Sequence, residues 1–173
     1  MDIVDYSEKT ANETLSFLRK SYDELHERLQ KVVTALIGGA GAVAAYALTK
    51  VGSPADTMQL FGLGALAVSW FVIAGVAAIE GVTSRELSPG NGPDNIMGYY
   101  RARLAEGSSK EDPESEALRA TREAELILQQ HRISEYSTGC TERARTLDWV
   151  YFSIAFSPLA GVIVSAIVFL RTT

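Results

Sequence analysis

Three stretches of this 173-residue chain carry no charged side chain: Val32 to Thr49, Met58 to Ile79 and Trp149 to Leu170. They hold 18, 22 and 22 residues. At about 1.5 Å of rise per residue each reaches across a hydrocarbon layer of roughly 30 Å, the shortest with help from flanking residues. A water-facing helix of such length would carry a charged face, and these carry none. The windows predict an all-α integral membrane protein with three transmembrane helices.

The first window contains a competing signal. Gly39-Ala40-Gly41-Ala42-Val43-Ala44 fits the dinucleotide fingerprint G-x-G-x-x-G/A, which needs a strand before it and an acidic residue about 20 positions later. Around residue 60 the chain reads TMQLFGLGALAV, and Asp56 sits in a turn beside Pro54. Upstream, Leu15, Leu18, Tyr22, Leu25, Leu29, Val32 and Leu36 follow alternating spacings of three and four. That is a heptad seam, so the segment is helical before it becomes apolar. A cleavable signal is disfavoured as well, because 31 residues rich in acids precede Val32 instead of a short basic leader.

Charge then sets an expected topology. Residues 1–31 carry five Lys or Arg and residues 80–148 carry nine, whereas the 50–57 turn and the 171–173 tail carry one each. Positive charge stays inside, so the N-terminus and the long connection belong in the cytoplasm, with the short turn and the C-terminus outside, most naturally in a bacterial inner membrane. Trp149 and Tyr151 suit an interfacial anchor for the third span. The expected organisation is an amphipathic helix over 1–31 continuous with the first span at 32–49, a turn at 50–57, and a second span at 58–80. A cytoplasmic connection over 81–148, then the third span at 149–170, complete it. Thr10 to Glu13 has capping-box spacing, and Glu24 with Arg28 and Glu27 with Lys31 are favourable i,i+4 pairs. Within the connection, residues 81–112 are rich in turn formers and either form a short helix stopped by Gly107 or remain a linker. Asp112-Pro113 reads as the cap and first residue of a long helix over 113–148, with Gly139 its weakest point.

Little in the chain points to catalysis. Cys140 is the single cysteine, which removes intrachain disulfides and cysteine zinc sites. His131 and Glu135 stand one helical turn apart without a third ligand in sequence reach, and His26 reads as a solvated stalk residue. No charged side chain lies within the three apolar windows, and Glu80 at the inner edge of the second span reads as an interfacial acid, which argues against a proton- or ion-coupled carrier. No catalytic residue, cofactor or metal is expected, and a net charge of −5 disfavours a nucleic-acid partner.

The third span carries the clearest pattern. Ser153, Ser157, Gly161 and Ser165 recur every fourth residue, with Pro158 beside them freeing the carbonyl of Ile154. Such a small-residue stripe serves either as a helix-packing seam or as a polar lining of an assembly. Further small faces lie at Gly38 with Ala42, at Gly41 with Ala45, and at Gly64 with Gly75. A monomer of three spans offers few partners for so many small faces. Self-association in the bilayer, helped by the Leu15, Leu18, Tyr22, Leu25 and Leu29 seam in the stalk, would supply the rest.

Two functional expectations follow. One is a non-enzymatic homo-oligomer that forms or gates an opening, as a permeabilising effector does. The other is a membrane-anchored binding module or immunity-type protein whose cytoplasmic helices, around GYYRARL at residues 98–104, recruit or block another protein. In layout the chain resembles several groups of small bacterial membrane proteins, including phage holins and transmembrane effectors of anti-phage defence. No motif carries that likeness, and the long second connection and opposite orientation depart from holins.

Overall fold

The computed structural model describes residues 3–51, 57–82, 92–107 and 112–172. All regular structure there is helical: α1 (Ile3–Leu48), α2 (Thr57–Ala77) with a π-type turn appended at Ala78–Val82, α3 (Pro93–Glu106) and α4 (Pro113–Thr172). Three of these, α1, α2 and α4, contain segments long and apolar enough to cross a membrane. Residues 52–56 of the outer turn expected at 50–57, and residues 83–91 and 108–111 of the turn-rich stretch 81–112, lie outside the described residues.

Capping explains where the elements start. Asp112 Oδ1 accepts from the Ser115 backbone N–H at 3.3 Å, and Pro113 takes the first helical position, where a missing N–H costs nothing. That bond also holds the Asp112 carboxyl below its usual value, since both the hydroxyl and the amide of Ser115 favour the anion. α3 starts on Pro93 and ends where the Gly107 N–H bonds to the Arg103 carbonyl. α4 runs 60 residues through both Gly139 and Pro158.

The chain divides into two compact units. The first comprises Met1–Tyr22 and Arg85–Cys140, the second Asp23–Ser84 and Thr141–Thr173.

In the first unit, α1 and α4 run parallel and in step. Asp5 pairs with Arg122 and Asn12 with Gln129, each pair 117 residues apart in sequence. A constant offset at seven-residue intervals is the signature of a parallel coiled coil. Arg122 also donates to both carboxylate oxygens of Glu8, at 2.7 and 2.9 Å. One helical repeat further on, the Arg19 guanidinium lies over the Tyr136 ring, and Tyr22 meets that ring edge-on with centroids 5.7 Å apart. Tyr22 is buried against Gly139, where an added Cβ would come within 2.9 Å of the tyrosine ring. The glycine that weakens α4 by propensity is what lets the edge of the Tyr22 ring come this close to it. α3 turns the half-buried stripe Ile96, Tyr100 and Leu104 inward, and its C-terminal end lines a small cavity with the first turns of α4.

In the second unit, three helices surround one core of Val33, Leu36, Ile73, Ala74, Ala77 and Val150, with Trp70 and Ile154 packed against it. α2 runs antiparallel to both of its neighbours: Gly39 of α1 faces Trp70, and Ser165 and Ser157 of α4 bond to Met58 and Trp70. Leu29, completely buried, fills the space above Gly81 in the π-type turn.

Candidate functional site: the small-residue seam of the membrane helices

The serine stripe of the third span faces its own bundle. Ser157 is buried, and its hydroxyl works in two directions. It donates to the Ile154 carbonyl at 2.8 Å and accepts from the Trp70 indole N–H at 2.7 Å. The geometry follows from Pro158, which has no N–H to return to Ile154 and so leaves that carbonyl without its helical partner. An unpaired backbone group is costly where no water can reach it. The neighbouring hydroxyl supplies the missing donor, and the indole supplies the hydroxyl's own partner. The helix passes through its proline because a three-membered relay, Trp70 to Ser157 to Ile154, replaces one backbone bond.

Trp70 belongs to α2 and touches both other spans. Its indole covers Gly39, where a Cβ would approach Cζ3 to 2.6 Å, while Nε1 reaches α4. Small-residue spacing does not mark Trp70, but its position does: membrane tryptophans gather at interfaces, so one near the middle of a span asks for a buried hydrogen-bond partner.

Further along the same seam, Gly161 and Gly62 meet backbone to backbone. A Cβ on Gly161 would lie 2.9 Å from the Gly62 carbonyl oxygen, and one on Gly62 would strike Ser165. Ser165 Oγ donates to the Met58 carbonyl at 3.2 Å. Ser153 is half-buried on the same side. The stripe is therefore the packing seam between α2 and α4, with Pro158 exposed at its margin.

The other small residues singled out by spacing behave differently. Gly38, Gly41, Gly64 and Gly75 have nothing within 4 Å of a would-be Cβ, and Ala45 is exposed. The glycines that pack helices inside the chain are Gly39, Gly62, Gly81, Gly139 and Gly161, of which spacing identified only the last. The stalk seam is also occupied within the chain. Leu15, Tyr22 and Leu29 are buried and Leu18 and Leu25 half-buried, with the Leu18 carbonyl accepting from Cys140 Sγ at 3.6 Å.

No group of three or more metal-binding side chains occurs among the described residues. His131 Nε2 and Glu135 Oε1 lie 3.3 Å apart on the exposed side of α4. Of the sequence's docking segment, Tyr99 and Arg103 are exposed and engaged with one another and with Glu106.

The fold and this seam define a helical membrane protein with three candidate spans held by small-residue and hydroxyl contacts. No protein-family model, no curated protein and no solved structure matches the chain.

Proposed function

We propose that the chain is a non-enzymatic membrane protein that self-associates and that the homo-oligomer forms or gates an opening in the bilayer. The observation that carries this reading is the face of α1 bearing Gly38, Gly41, Ala42 and Ala45, exposed and, at both glycines, with nothing among the described residues within 4 Å of an added Cβ. In lipid, where apolar side chains gain little by mutual burial, such a face lets a second backbone approach closely. The serine stripe contributes no lining, being committed to α2. A lining comes instead from the α1 face, together with Thr34, whose hydroxyl is bonded to the Gln30 carbonyl of its own helix. With no charged ring, such a path discriminates poorly among ions. The same reading places residues 1–31 and 80–148 in the cytoplasm of a bacterial cell and the C-terminus outside the inner membrane.

The test is dye release from liposomes, with the oligomer mass measured in parallel. Wild-type protein is expected to leak, and Gly41→Leu to stay tight and run as a smaller species. A monomeric wild type, or tight vesicles under every condition, overturns the proposal.

One observation favours a second reading, a membrane-anchored binding module. In the first unit, Tyr6, Thr10, Ala11, Thr14, Leu126 and Ile127 line a groove of about 610 Å³, with Ile127 71% exposed. Apolar surface of that kind outside a membrane marks a contact site. Recovery of one stoichiometric partner by the full-length protein, lost in Ile127→Glu, together with tight vesicles, selects this reading.

A further inference from the structure

At the end of the second unit where α1 stops and α2 starts, the packing opens. A groove of about 650 Å³ runs between α2 and α4, lined by Tyr46, Leu63, Leu66, Pro158, Val162 and Phe169 among others. Its volume is that of an ordinary small-molecule site, and its walls are almost wholly apolar. All the lining residues lie in or beside segments apolar enough to span a membrane, so in a bilayer the opening would face hydrocarbon rather than water. The serine that might have made the groove polar, Ser165, is already bonded to Met58.

The mouth carries a positive charge. The Lys50 ammonium lies 5.7 Å from the centroid of the Tyr46 ring, and Tyr46 is itself part of the groove wall. A cation–π contact of this kind favours a lysine position beside the ring that forms part of the groove wall. An apolar slot with a cation at its lip is complementary to one kind of molecule available in a bilayer, an anionic amphiphile.

We propose that this groove binds a single anionic glycerophospholipid, one acyl chain lying between α2 and α4 over Pro158 and the phosphate beside the Lys50 ammonium. The binding is independent of the oligomer reading, because the lining comes from one chain. Pro158 has a part in it: an exposed proline beside the Gly62–Gly161 contact leaves the space that a bulkier helix surface would fill.

The test is native mass spectrometry of the full-length protein reconstituted with equal phosphatidylglycerol and phosphatidylethanolamine. Wild-type protein is expected to retain one phosphatidylglycerol per protomer. Ala166→Phe and Leu63→Trp fill the groove and should each lower retention by about tenfold, within the range that overpacking costs. Lys50→Gln should keep an acyl chain bound but lower the preference for the anionic lipid about fivefold, as expected for one lysine at a membrane surface. Val68→Phe, on an exposed part of α2 outside the groove, should change nothing. Circular dichroism checks that each variant folds, and the wild type alone decides the matter if the filled variants do not. Retention of no lipid, equal retention of both lipids by the wild type, or unchanged retention in folded groove-filled variants overturns the proposal. So does a fall in oligomer mass without loss of lipid, which would show the groove to be filled by a second copy.

Discussion

Ser157 shows how one hydroxyl can decide whether a membrane helix tolerates a proline. Removing it strands two groups at once, the Ile154 carbonyl and the Trp70 N–H. Ser157→Ala is therefore expected to destabilise the bundle by about 1–2 kcal/mol, measured by denaturant unfolding in detergent micelles. The double variant Ser157→Ala/Pro158→Ala restores a backbone N–H to Ile154 and should recover part of that loss. A loss as large as in the single variant would mean that the relay does not serve the carbonyl. Glycines offer a second residue-scale contrast. Gly98 of α3 stands in open space, so Gly98→Ala should stabilise by up to about 1 kcal/mol through helix propensity alone. Gly139→Ala has the same propensity gain but pushes a Cβ onto the Tyr22 ring, and thermal unfolding should show no gain or a net loss. The pattern Ser153, Ser157, Gly161, Ser165 was legible from its spacing. What each residue meets was not, because a glycine that receives an indole and one that faces lipid look alike in sequence.

Among the elements, the pairing of α1 with α4 in the first unit is held by a polar column of Asp5, Glu8 and Asn12 against Arg122 and Gln129. Hydrogen bonds from Arg122 hold the Glu8 carboxyl below its ordinary value of 4.5. A carboxylate with a lowered folded value contributes stability that is complete above the unfolded value and fades as pH falls through the folded one. The parallel pair is thus expected to loosen below about pH 4.5, seen as faster amide exchange in residues 3–22, and Arg122→Gln should abolish that pH dependence. High salt should weaken the pair in the same way, since both charges are partly exposed. The heptad on α1 was readable because leucine and tyrosine mark it. Its partner was not, because α4 answers with Arg122, Gln129, Tyr136 and Gly139, a face with no apolar signature of its own. A seam that reads as an offer to another copy is taken by the same chain.

For the whole molecule, the division between packed and open glycines gives the proposed self-association a test that is separate from stability. Gly62→Leu should unfold the bundle, since its side chain would have to pass through Ser165 and the Gly161 backbone. Gly41→Leu has room in the monomer and should leave its unfolding midpoint unchanged while lowering the oligomer mass. A midpoint that falls equally in both variants would place Gly41 in an intrachain contact instead. With Cys140→Ser as background, Gly41→Cys should cross-link between copies in native membranes, and Ser157→Cys should not.

The constant separation of 117 residues between the coil partners of the first unit also has a meaning in time. A ribosome adding about 5–20 residues per second needs roughly 6 to 23 seconds between making Asp5 and making Arg122. Throughout that interval α1 waits without the α4 residues, Gly139 among them, against which Tyr22 is buried in the complete chain. During those seconds nascent chains on neighbouring ribosomes can pair through the seam that each later closes with its own C-terminal helix, a route to mispairing that is separate from the glycine face of α1 left open in the folded chain.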